Sequence, residues 1–301
     1  MVELVHGEAE AESRVLKALR LALGLAAGVL AIESVGAYFS HSLSLTVDAV
    51  HNLPDLFAFA VSWSALRATQ RGSTGSYTFG MHRFEVFAGL LNAVLVLVTG
   101  AVFGFEAASS LSRGATFAGA IDPVWIIAVA IPTLVLRATS IASLGRLPRA
   151  ARELNLVSVL VHLASDVLIT GALLVAGVIL LISPSSAWVD AVAALAIAGI
   201  LVYESLPLFR DGWEVLTERV PRSVSLERIQ RTARAIPGVR ELHDVHVWAV
   251  CPTLVCMTAH VQLDDMSMQE GMGVVDRLRS IMAQEFGILH SVFEMEAPAG
   301  T

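Results

Sequence analysis

The chain of 301 residues is 55% hydrophobic and only 16% charged, with a mean hydropathy of +0.69. Soluble domains carry about 25% charged residues, so the composition excludes an ordinary soluble enzyme and points to a polytopic membrane protein with a soluble appendage. The net charge of -7 argues against nucleic acid as a partner.

The chain opens on MVELVHGEAEAES, which is acidic and lacks the basic stretch of a secretory leader, so no cleaved leader is expected. A bilayer-crossing helix needs about 20 mostly apolar residues. Six stretches qualify, at 15–38, 43–67, 83–111, 122–145, 156–182 and 187–209. Turn and charge signals separate them: QRGSTGS, SRG, RLPRAAREL and SPSS. Arg67, Arg71 and Arg83 border one loop and Arg146, Arg149 and Arg152 fill another, while the loops on the other side of the membrane hold only Arg113. The positive-inside rule then places both termini in the cytoplasm.

Beyond this six-helix domain (1–209), residues 210–221 are mixed in charge and read as a linker. Residues 222–301 read as a regulatory and dimerisation domain of α-β-β-α-β order. SLERIQRTARAI predicts an amphipathic helix and VRELHDVHVWAV a strand. In TLVCMTAHVQL, Val255, Met257, Ala259, Val261 and Leu263 share one face, and Thr258, His260 and Gln262 the other. A helix over 269–286 and a strand over 289–296 complete a small α+β fold, expected to have antiparallel strands covered by helices on one face. Cys251 and Cys256 form neither a C-x-x-C pair nor a disulfide framework and are expected to be structural.

Two polar pairs interrupt the apolar runs: HNLPD at 51–55 and HLASD at 162–166. Ionisable residues at membrane depth are expensive and usually functional. On a helix, positions i and i+4 share a face, so His51 with Asp55, and His162 with Asp166, each aim at one spot. Two such helices face to face offer four N and O ligands, the set that a tetrahedral Zn²⁺ takes, and two carboxylates neutralise a divalent cation. The alternative is that each pair is a local helix-stabilising contact. Asp48, one turn before His51, is a further candidate to touch the cation on its path. Pro54 lies inside the first pair and lacks a backbone donor, so it is placed to kink the helix there. Glu33, Asn92 and Asn155 read as interhelical hydrogen-bonding residues.

With these residues in hand, the sequence resembles the cation diffusion facilitators, in particular the bacterial cobalt–zinc–cadmium resistance branch. The resemblance lies in SLSLTVDAVHNLPD, YTFGMHRFEVFAGLLNAVLVL, ELNLVSVLVHLASD, WVDAVAALAIAGILV, IPGVRELHDVHVW and TAHVQLDD. It implies a membrane bundle of six transmembrane helices plus a cytoplasmic, metallochaperone-like (ferredoxin-like) α+β domain. It further implies a homodimer in the cell (inner) membrane that exchanges cytoplasmic Zn²⁺ for protons, with His51, Asp55, His162 and Asp166 as the transport site. The histidine at 51 is implied to favour zinc, where relatives with aspartate also take cadmium. A regulatory metal site in the cytoplasmic domain carries over to His243, His260, Glu294 and Glu296. Gly273 stands where a further histidine is usual, and His246 and His290 lie near. An interfacial site of some relatives has only His82 as a match. Arg83 and Glu218 match a basic–acidic pair near the dimer interface, expected to be partly desolvated.

Proton coupling also has a direct argument, because metal ligands must be deprotonated and so protons and Zn²⁺ compete. No G-x-x-x-x-G-K-[ST] run suggests ATP drive, and no H-E-x-x-H suggests a membrane metallohydrolase. The remaining alternative is a membrane-anchored divalent-metal sensor without transport.

Overall fold

A computed structural model describes residues 2–69, 76–113, 121–145 and 156–296. Six long helices come first: α1 (Val2–Ser40), α2 (Leu43–Thr69), α3 (His82–Ser112), α4 (Pro123–Gly145), α5 (Leu156–Ile182) and α6 (Trp188–Leu216). Five of them contain a segment long and apolar enough to cross a bilayer. The sixth, α2, has 27 residues and carries Asp48, His51, Asn52 and Asp55, which lower its hydropathy. Phe105, Leu168 and Ile182 are 74%, 73% and 79% exposed; such apolar outer surface is stable against lipid, where a helix meets most of its backbone groups internally. The described residues form two packing units, one within 1–72 and 91–209, the other within 73–90 and 210–301.

Within the first unit, α1 lies against α2 and α4, α4 against α5, and α2 meets α5. Lipid supplies no hydrophobic drive between helices, so small residues that permit close approach matter. A Cβ on Gly36 would collide with Val129 of α4, and one on Gly100 would lie 3.0 Å from the Ala198 carbonyl of α6. Helix α2 begins under a cap lent by another helix. Asp190, buried in the first turn of α6, accepts from Ser42 Oγ (2.6 Å), Leu43 N (2.7 Å), Ser44 N and Ser44 Oγ. These donors include N–H groups that a helix start leaves unpaired. Helix α2 runs on through Pro54, whose missing N–H deprives the Val50 carbonyl of its helical donor.

The second unit contains α7 (Leu226–Arg234), β1 (Val239–Cys251), β2 (Leu254–Leu263), α8 (Met268–Phe286) and β3 (His290–Glu296). Ser225 caps α7, and Ser267 with Glu270 makes a reciprocal capping box on α8. Hydrogen bonds from Ser267 hold the Glu270 carboxyl below its ordinary range. Met257, Ala259, Val261 and Leu263 are buried, as alternation predicts, and meet Leu242, Leu278 and Met282 in the core. The strands pair in the order β1-β2-β3, but β2 and β3 are parallel, which corrects the all-antiparallel expectation. The reason is α8: a helical crossover returns the chain to the end where β2 began. The stretch read as a linker is also helical as far as Leu216, with Glu214 drawing Arg219 (2.5 Å) and Arg222 (2.8 Å) onto its last turns. There Glu218 takes a left-handed φ of 57°, and Arg219 N bonds back to the Glu214 carbonyl, a Schellman-type stop.

Candidate metal centre

His51 and Asp166 come from helices α2 and α5 and are 2% and 4% exposed. His51 Nε2 lies 3.8 Å from Asp166 Oδ1, and His162 Nε2 lies 4.0 Å from Asp166 Oδ2. The two imidazole rings meet edge to face at 5.8 Å. Zn²⁺ with bonds of about 2.0–2.2 Å spaces tetrahedral ligand atoms about 3.4 Å apart, so a small contraction of this group would close around such an ion. His51, His162 and Asp166 can each offer one ligand atom within 4.8 Å of the others. The side chain of Asp55, the fourth sequence candidate, lies outside the described residues, as does Asn155. Asp55 falls one turn beyond His51 on α2, on the same face.

Three further residues stand near this group: Arg137 and Glu204, which sequence reasoning passed over, and Asp48. Arg137 of α4 is 3% exposed and ion-paired with Asp48 (3.2 Å) and Glu33 (3.3 Å). Asp48 is thus engaged by a guanidinium and stands outside the ligand group of described residues. Glu33 does bond between helices, to Asn52 of α2 and to Arg137. A charge of each sign in the middle of two apolar stretches was the available signal. Glu204 of α6 was missed as well; its Oε2 lies 3.9 Å from His162 Nδ1, on the side of the ring away from Asp166. Asn92 is buried, and its Oδ1 finds no hydrogen-bond partner among the described residues.

A second cluster forms on the sheet of the C-terminal unit. Register puts His243 opposite His260 on the antiparallel pair, and His260 beside Glu294 on the parallel one. His260 Nδ1 is 2.8 Å from Glu296 Oε1, and His243 Nε2 is 3.2 Å from Glu296 Oε2. Glu294 reaches to 3.7 Å from His260 Nε2. All four sequence candidates therefore share one surface. Asp244 joins them unforeseen, with Oδ2 3.6 Å from His260 Nε2. It sits at a register shift between His243 and His246 with φ 46°, a conformation that aspartate tolerates better than most residues. The hydrogen bond to Glu296, reinforced by Glu294 and Asp244, raises the pKa of His260 above the ordinary imidazole value against its partial burial.

The other candidates have other neighbours. His246 pairs with Asp244 at 3.0 Å, His290 meets the Phe79 ring edge-on, and Trp248 is half-buried. Asp264 bonds Arg240 at the surface. His82 Nδ1 lies 3.7 Å from the Sγ of buried Cys251. Both cysteines are free and buried, and burial pushes the Cys256 thiol up. Arg83 and Glu218 do meet, at 3.1 Å, but their side chains are 52% and 62% exposed.

Residues 19–217 match the family model described as the cation efflux transmembrane domain, and residues 221–297 match that of the cation efflux protein cytoplasmic domain. The chain is 30% identical over 281 residues to the metal cation efflux system protein CzcD of Cupriavidus metallidurans, covering 93% of this chain and 86% of that protein. It is 25% identical over 285 residues to the cadmium, cobalt and zinc/H(+)-K(+) antiporter of Bacillus subtilis, covering 94% and 89%. The zinc transporter ZitB of Escherichia coli is 29% identical over 288 residues, covering 92% and 86%.

Proposed function

The chain belongs to the cation efflux family and is a multi-pass membrane protein that exports divalent metal cations; from that premise we propose that it is a Zn²⁺/proton antiporter. The observation that carries this reading is the convergence of His51, His162 and Asp166, from two membrane helices, within reach of one small cation. Asp55, one helical turn past His51, supplies the fourth ligand and the second negative charge. Two imidazole nitrogens favour Zn²⁺ over hard cations, which prefer all-oxygen sets.

Coupling follows from ligand chemistry. An imidazole binds metal only when neutral, and metal binding displaces the protons its ligands carry. The site therefore holds either Zn²⁺ or protons, and the same residues carry both in opposite directions. Both termini face the cytoplasm of a cell (inner) membrane, with 1–209 as the transport domain and 210–221 joining it to a cytoplasmic domain at 222–301. That domain pairs two copies into a homodimer. Its cluster of His243, His260, Glu294 and Glu296, joined by Asp244, binds regulatory Zn²⁺ from the cytoplasm.

The test is metal flux in proteoliposomes with an imposed pH gradient, run for Zn²⁺, Cd²⁺ and Co²⁺. Zinc uptake should follow the opposing proton gradient and disappear in Asp166→Ala. Undiminished flux in that variant, or flux indifferent to the gradient, overturns the site or the coupling respectively.

A further inference from the structure

Arg137 is expensive where it stands. A guanidinium at membrane depth persists only when its donors and charge are met, and this one is 3% exposed. Its two terminal nitrogens do different things. Nη2 faces Asp48 and Asn52 of α2, each at 3.2 Å, and Glu33 of α1 at 3.3 Å. Nη1 donates to the backbone carbonyl of Asp166 at 2.6 Å and to the hydroxyl of Thr170, both on α5. A residue retained only to neutralise carboxylates would not spend half its fork on a neutral carbonyl and a hydroxyl. That half grips the turn of α5 that bears Asp166. The other half grips α2 at Asn52, next to His51; the Asn52 amide itself donates to Glu33 and to the Asp48 carbonyl (2.8 Å).

We infer that Arg137 is a positioning residue which fixes the separation of His51 from Asp166 and so selects the size of the cation carried. The inference rests on the transport-site reading above. His51 and Asp166 stand on different helices, and the 3.8 Å between their ligand atoms is set by how α2 and α5 are held. The planar fork of arginine spans both helices at once. Lysine brings equal charge as a single compact ammonium that cannot reproduce a two-sided grip. A larger ion spreads its ligands further than zinc does, so loosening the grip widens the range of ions accepted. Partners that orient metal ligands typically contribute 10–100-fold in affinity.

The experiment uses the full-length protein in proteoliposomes, with Zn²⁺ and Cd²⁺ as probes and three variants. Arg137→Lys keeps the charge and loses the fork. Thr170→Val is nearly isosteric and removes one acceptor beside Asp166. Asp166→Ala controls for the site itself. In the first two, the KM for zinc should rise about tenfold, and the zinc-to-cadmium preference should move by a factor of about five toward cadmium. A purely structural role would lower the yield of folded protein without moving that ratio. If KM and the ratio stay within about twofold of the unmutated protein in both while Asp166→Ala is inactive, the positioning role is wrong and the transport site stands. Activity in Asp166→Ala instead removes the transport-site reading beneath it.

Discussion

The membrane cluster and the cluster on the sheet use the same chemistry, two imidazoles with carboxylates, in opposite surroundings. His51 and Asp166 have side chains 2% and 6% exposed, whereas His243 and Glu296 are 43% and 34% exposed. Charges in a poorly polarisable interior interact far more strongly than at a wetted surface. Gathering these groups out of water is thus the costlier arrangement of the two. Water sustains the sheet cluster whether loaded or empty. Their scaffolds differ as well: one rests on the i,i+4 repeat of two helices, the other on strand register with an irregularity at Asp244. On the reading proposed above, burial would make one ligand set exchange its contents, and exposure would leave the other free to report metal concentration.

The sharpest way to break this contrast is to remove one ligand from each. Asp166→Ala or His51→Ala should abolish zinc flux, at least about 100-fold, because each removes a quarter of a four-coordinate site. The variant proteins should still bind zinc through the sheet cluster, which equilibrium dialysis would show. His260→Ala should do the reverse, lowering cytoplasmic zinc affinity about 10–100-fold while leaving the saturated transport rate within a few-fold. If either mutation removes both properties, the two clusters do not act separately.

A smaller effect concerns pH. Glu296, with Glu294 and Asp244, holds His260 protonated above the ordinary imidazole range. In the metal-free protein its contribution to stability is therefore fully present below the unfolded value of about 6.5. It is lost as pH rises through the higher folded value. Metal loading runs the other way, since Zn²⁺ must displace that proton. In the Asp166→Ala background, zinc affinity should begin to fall at a pH above 6.5 as the solution is acidified. In chelator, the Tm advantage of the unmutated protein over His260→Gln should shrink as pH rises. A flat affinity from pH 8 to 6 would separate His260 from the metal.

The smallest effect belongs to Arg83 and Glu218. An ion pair this exposed contributes about 0–1 kcal/mol, so single charge reversals should lower Tm slightly, and the double swap should recover most of that. A coupling above about 1.5 kcal/mol in the double-mutant cycle would mean that another surface covers the pair in the membrane.

Much of this arrangement was legible because helices repeat. HNLPD and HLASD announce their facing with no tertiary information, and the six apolar runs bound the described helices within a few residues, apart from the helical extensions at the two ends of the bundle. The sheet cluster was partly legible. Its residues came from resemblance, but their meeting depends on the register of His243 with His260. Asp244 joins through a left-handed φ at an irregularity, which no alternation pattern encodes. The parallel β3 was misread because strand direction depends on what α8 does between strands. Arg137 was overlooked because an arginine in IPTLVLRATS, close to the RLPRAAREL run, resembles a boundary anchor; only its partners on three other helices show otherwise.

The cap that Asp190 lends to α2 has a mechanical consequence. With Ser42, Leu43 and Ser44 all bonded to one carboxylate of α6, the start of α2 is pinned against sliding more firmly than against tilting, like a rod in a ball joint. His51 lies eight residues along, about 12 Å from that joint at 1.5 Å per residue. A tilt of about 10° would then swing its imidazole by about 2 Å, a full metal–nitrogen bond length. Were the grip of Arg137 on Asn52 released, a rotation that small about the Asp190 cap would carry His51 out of bonding distance of an ion held by α5.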